Sequence, residues 1–207
     1  MALFASDKGG GSFDPVPQKI HHAVCIGVID LGTHLNTIFN KSVHQVLITW
    51  ELPYEKIVIE KEGQSPEEKS RWISNKYTLS LHEKANLRKM LESWRGKSFT
   101  SAELEGFDLK KLLTVNGQLQ VIHNKKDDKV YANVNNLMPL MPEMTNLEAE
   151  NPYVYFSLEE SFDIPEGVPD WVMDIIKQSD EWRSQLNGEP DSTSGEQPPF
   201  DEGDIPF

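Results

Sequence analysis

Trp72, Ser74, Lys76 and Thr78 alternate along one face of a stretch whose other face carries Ile73, Tyr77, Leu79 and Leu81. A Trp on the polar side of such a stretch has two uses. It stacks on a flat ring offered by a ligand, or it plugs a loop. An indole stacked on an unpaired base contributes roughly 1–3 kcal/mol, and neighbouring cations meet the phosphates. Arg71 and Lys76 supply such cations. A second group of similar composition follows later in the chain. Tyr131, Asn133 and Asn135 share a face opposite Val130, Ala132 and Val134, with Lys125, Lys126 and Lys129 at the adjoining turn. These lysines either border a groove or belong to an ordinary solvated turn. Arg95 and Lys97 are further candidates for phosphate contact. Trp50, in the company of Val46 and Ile48, is expected in the core, as is Trp94 at the end of an amphipathic stripe.

The last residues offer different chemistry. Asp201, Glu202 and Asp204 crowd three carboxylates into four positions, and Ile205, Pro206 and Phe207 close the sequence. Prolines and mutual repulsion argue against a helix or a central strand here. Two apolar side chains beside a terminal carboxylate suit a peptide ligand, anchored in a partner's pocket and steered by its acids. The alternative is a plain solvated acidic tail. The Asp-x-Ile-Pro-Phe ending behind an acidic linker with Gly, Ser, Pro and Gln resembles the tail of bacterial and phage single-stranded DNA-binding proteins. The resemblance implies that residues 201–207 dock onto replication and recombination proteins. The stretches Thr49-Trp50-Glu51-Leu52-Pro53, Lys76-Tyr77-Thr78-Leu79-Ser80-Leu81 and Ser93-Trp94-Arg95-Gly96 also look like phage-encoded proteins of this kind.

Other chemistries lack their signatures. There is no Gly-rich phosphate loop, no His-Glu-x-x-His and no Gly-x-Ser-x-Gly, so no enzyme is expected. His21, His22 and the single Cys25 have no ligand spacing, and no metal or cofactor is called for. Cys25 sits in an apolar run and reads as a small core residue in a reducing compartment. No apolar run is long enough to span a membrane, and residues 1–19 have no signal-peptide pattern, so a cytoplasmic protein is expected, in the host cell if it is phage-encoded.

The net charge of −13 is unevenly spread. Residues 141–207 hold 17 acidic and two basic residues, a net of −15, which leaves +2 on residues 1–140. A mildly basic body with an acidic tail follows. That balance is weak for duplex recognition and sufficient for a single-strand binder that adds stacking to a few cations.

These residues need elements to hold them. Residues 1–19, with three consecutive glycines and two prolines, read as a flexible arm. Strands are expected over 22–31, 42–52 and 72–81, with a short alternating piece at 56–60 and a loop at 62–70. Gly27 inside the first strand marks a bulge or a tight bend. Two capping boxes, Ser80 with Glu83 and Thr100 with Glu103, open a helical insertion, and Gly96 is placed to end its first helix. A hairpin of strands over 117–125 and 130–140 follows. Three strands, a helix and two strands is the order of the OB-fold, a small five-stranded barrel. The expected fold is therefore mainly β: an OB-fold barrel with a helical insertion over 20–142, an acidic extension over 143–186, and a disordered tail over 187–207. One amphipathic helix over 169–186 would pack on the barrel or on a second copy, which leaves a homodimer open. Two functions compete. The chain coats single-stranded DNA without strong sequence preference during replication or recombination, or it is an acidic mimic of DNA or of a host tail that blocks host enzymes.

Overall fold

The computed structural model describes residues 14–37, 40–59, 65–127 and 129–188. Their architecture is mainly β. The strands are β1 (Ile20–Asn36), β2 (Lys41–Ile59), β3 (Glu67–Thr78), β4 (Asn116–Lys126), β5 (Lys129–Met138) and the short β6 (Val154–Phe156). Five of them form an antiparallel path in the order β3-β2-β1-β4-β5, and β6 adds to β1 in parallel. Between β3 and β4 lie the helices α1 (Asn86–Arg95) and α2 (Ser101–Glu105) and a single 3-10 turn, Leu109–Leu112. Two more helices, α3 (Asp170–Lys177) and α4 (Asp180–Asn187), end the described chain.

β1 is the axis of the molecule. Residues 21–32 are buried throughout, which no half-exposed strand allows. The reason is that β1 faces two cores. Ala23, Cys25 and Val28 join one, while Ile29 and Leu31 join the other. Register shifts between Cys25 and Gly27 and between Asp30 and Gly32 let the strand bend and change its facing, as the glycine at 27 led one to expect. The bend also divides its second edge. Ile20 to Val24 pair with β4, and Gly27 to Ile29 then pair with β6.

The first core lies under the inner sheet face. Val46, Ile48, Trp50 and Leu52 of β2 and Ile73 and Tyr77 of β3 point into it, on the faces that alternation assigned. Leu87, Met90, Leu91 and Trp94 of α1 cover it at helical spacing. Trp94 meets Trp50 edge to face at 6.0 Å between ring centroids, and its Nε1 donates to the Asn116 carbonyl at 2.9 Å. α1 packs against both β3 and β5.

Several expectations are corrected. The sheet is not a closed barrel, because β3 and β5, its two ends, form no ladder with each other. The pieces expected at 42–52 and 56–60 are one strand, β2, which pairs across a register shift with a β3 that starts at Glu67. The box at Ser80 does not form. Ser80 Oγ accepts from His82 instead, and α1 starts only at Asn86. The box at Thr100 is complete in both directions. The helix expected over 169–186 is two, since the Ser179 side chain accepts from Trp182 N–H and starts a new helix.

The second core joins the acidic extension to the outer sheet face. Val172 and Ile176 of α3, fully buried, pack with Phe156, Leu158 and Val168 against Ile29, Leu31 and Leu47. Each such side chain contributes about 1.5–3 kcal/mol relative to exposure. Polar clasps set the position. Glu181 of α4 accepts from Thr33 N–H at 2.7 Å and from Thr33 Oγ1 at 2.5 Å. Asp30 Oδ2 accepts from Leu158 N–H at 3.1 Å. Gly32 has φ +77°, and a Cβ there would fall 2.4 Å from Ser179 Cβ, so only glycine lets α4 approach β1 this closely. At the other end of the sheet, Val16 lies in the first core, so the part of the expected arm at residues 14–19 that is described packs on the sheet.

Candidate nucleic-acid interface

Alternation along β2 and β3 leaves Leu47, Thr49 and Glu51 on the outer face, opposite Lys76, Ser74 and Trp72. Trp72 is 44% exposed. Lys76 is exposed on the same face, beyond Ser74. Arg71 is turned to the other side, where its guanidinium donates to the Asp14 carbonyl.

The outer face does not end in solvent at Trp72. An open groove of about 120 Å³ runs between the sheet and the extension. Gly27, Ile29, Leu47 and Thr49 form its floor, and Trp72 lines it from β3. Asn151, Val154 and Trp171 line it from the extension. Its volume is below the usual range of whole-ligand sites, about 300–1,000 Å³, and suits a single flat ring rather than a larger molecule. Trp171 is 45% exposed, although the next residue of the same helix, Val172, is fully buried. Gly27 keeps the floor low, because a Cβ there would come 3.1 Å from Thr49 Cβ.

Glu51 fixes the near end of the groove. Its carboxylate is fully buried and accepts from Glu150 N–H at 2.9 Å, Asn151 N–H at 2.7 Å and Asn151 Nδ2 at 2.6 Å. Glu150 reaches back to Lys56 and to Ser70 Oγ, and these contacts, the Lys56 ammonium first, hold its carboxyl below the ordinary range. Outside the groove lining, His44 ties the sheet to the extension: its Nε2 lies 2.6 Å from Asp30 Oδ1 and its Nδ1 lies 3.8 Å from Glu181 Oε1.

The hairpin of β4 and β5 carries a second cluster. Tyr131 pairs across from Asn124 and Lys129 from Lys126, so Lys126, Lys129 and Tyr131 share one outward face. Tyr131 is 49% exposed. Lys125 pairs with Val130 and points to the opposite face. Ala132 and Val134 pack on the core, which leaves Asn133 outward, as alternation required. Asn135 falls at a register shift and donates to Gln120 Oε1 at 2.7 Å.

Arg95 is corrected. Its guanidinium pairs with Glu103 and lies over the rings of Phe99, at 4.5 Å, and Phe107, at 5.3 Å. A cation held between a carboxylate and two aromatic faces is committed to the fold and is not offered to phosphate. Lys97 remains exposed. The tip residues Asp201, Glu202, Asp204, Ile205, Pro206 and Phe207 lie outside the described residues. Trp171 belongs to the helix expected over 169–186 to pack on the barrel, and no site was expected there. Its signal was a large aromatic at the edge, rather than the centre, of the α3 apolar stripe.

Among the described residues, no group of three or more His, Cys, Asp or Glu is placed to hold a metal ion, and no helix is long and apolar enough to cross a membrane. Burial pushes the Cys25 thiol up to about 12, which removes it as a nucleophile near neutral pH. No family model matches the chain, and comparisons with curated proteins and with solved structures return no match.

Proposed function

We propose that the chain is a non-enzymatic single-stranded DNA-binding protein, phage-encoded, that coats strands without strong sequence preference during replication or recombination. Bases stack on the outer sheet face at Trp72, and Lys76 meets the backbone. Lys126, Lys129 and Tyr131 extend the path on the hairpin. The tip at residues 201–207 recruits partner proteins. The fold is read as an OB-fold that is open between β3 and β5, with the strand order β3-β2-β1-β4-β5 and α1 inserted between β3 and β4. The observation that carries the reading is Trp72: a half-exposed indole in line with Ser74, Lys76 and Thr78 on a polar strand face, with its neighbours Ile73 and Tyr77 buried.

The test is anisotropy of a labelled oligonucleotide, single-stranded and duplex, over a range of salt. The single strand is expected to bind better and to weaken as salt rises, because phosphate contacts release counterions. Equal affinity for both forms, or none for either, refutes the reading.

One observation favours the competing acidic-mimic function. Residues 143–188 carry eleven acidic and two basic residues and are folded against the sheet rather than left trailing. An acidic mimic would bind a basic host enzyme and no oligonucleotide, so the same titration separates the two.

A further inference from the structure

α3 is held in place chiefly by its buried apolar residues. Val172 and Ile176 are fully buried, yet the helix spends Trp171 on a position left 45% exposed beside them. Trp171 lines the groove, which Trp72 lines from the sheet at a matching 44% exposure. The lining residues carry no charge, and Thr49 and Asn151 supply polar groups. Charge lies just outside. Glu166 and Asp170, both exposed, adjoin the lining residues Gly167, Pro169 and Trp171, while Lys76 stands across from Leu47 on the sheet side. Phosphate is repelled from the extension wall and attracted toward β3. A neutral planar ring meets no such penalty between the two walls, and indole faces favour it.

We propose that the acidic extension is a wall of the binding site, in which Trp171 and Trp72 together take an unpaired nucleobase of a single strand whose backbone runs on the Lys76 side. The inference rests on the single-strand reading above and adds to it a second aromatic, contributed by the extension. The extension thus selects bases while its carboxylates keep the strand in one orientation.

The test uses the full-length protein and a labelled oligothymidylate, with affinity measured at several salt concentrations for Trp171→Ala, Trp72→Ala, the double variant and Asp170→Asn. Trp171→Ala is expected to weaken binding by roughly 5- to 150-fold, the equivalent of one stacked base, with an unchanged salt slope because no phosphate contact is lost. Trp171→Phe should restore most of the affinity. The double variant should lose less than the product of the two single losses, since both walls serve one base. Asp170→Asn should tighten binding. An unchanged melting temperature for Trp171→Ala excludes loss of folding as the cause. If Trp72→Ala weakens binding and Trp171→Ala does not, the inference is overturned and the single-strand reading stands. If the wild-type protein binds no oligonucleotide, that reading fails and takes the inference with it. If an arginine-rich peptide binds in a Trp171-dependent way and the oligonucleotide binds independently of Trp171, the groove is a cation site and the inference is overturned.

Discussion

Glu51 and Asn151 are joined by two hydrogen bonds, 2.7 Å to the backbone N–H and 2.6 Å to the side-chain amide, across 100 positions of sequence. The carboxylate is fully buried and also takes Glu150 N–H. A buried acceptor that satisfies three donors anchors the start of the extension to β2. Glu51→Ala would strand those donors, at a cost of roughly 1–3 kcal/mol. Denaturant unfolding should show that loss, and hydrogen exchange should locate it in residues 150–158. Unchanged exchange there would mean that the apolar contacts alone hold the extension.

Trp50 and Trp72 lie one strand apart and should respond in opposite ways. Trp50 is fully buried against Trp94, so Trp50→Ala should cost roughly 3–5 kcal/mol of stability. Trp72→Ala should leave the melting temperature nearly unchanged and weaken single-strand binding by roughly 1–3 kcal/mol. Melting and affinity measured on both variants decide the matter, and the reverse pattern would mean that the outer sheet face is not the binding face.

The clasp at His44 makes the extension sensitive to pH. Burial alone would lower the His44 pKa, but the Asp30 hydrogen bond and the charges of Asp30, Glu181 and Glu159 outweigh it and raise the value above the ordinary one. A raised pKa in the folded state means that folding favours the protonated form. That stabilisation is complete below the ordinary histidine value, about 6.5, and is lost as pH rises through the raised one. Exchange protection of α4 should therefore fall as pH rises above about 6.5, and His44→Gln should flatten the fall. An identical slope in the variant would remove His44 from the account.

Removing residues 204–207 should abolish capture of replication or recombination proteins and leave single-strand affinity unchanged or slightly higher. A few anchor residues carry most of the energy of a small interface, and on the proposed reading Phe207 would be the anchor. The gain would come from removing acidic competition for the protein's own cations, and should vanish above about 0.15 M salt, where the Debye length is about 8 Å. Phe207→Ala should lose the partner without the gain. Capture of the same partners by the truncated chain would exclude the tip as the anchor.

The sequence by itself determined the strand faces. Period-two alternation put Val46, Ile48 and Trp50 inward and Trp72, Lys76 and Tyr131 outward, because a pleated strand can point a side chain only one way or the other. It also determined α1, whose buried positions recur every three or four residues, and the complete cap at Thr100. It placed the irregularity in β1 at Gly27. Local geometry encodes all of these, so local sequence reveals them.

Only the tertiary structure decided what lies over the outer face. Nothing near Glu51 announces Asn151, and nothing near Gly32 announces Ser179, since each pairing depends on where distant elements dock. Alternation could not show that Trp171 would share a groove with Trp72, or that Arg95 would turn from solvent to Glu103 and two phenylalanines. The sheet's failure to close between β3 and β5 is of the same kind. Strand pairing over long sequence separations is set by the whole packing, with α1 lying against both ends, and not by the residues of either strand alone.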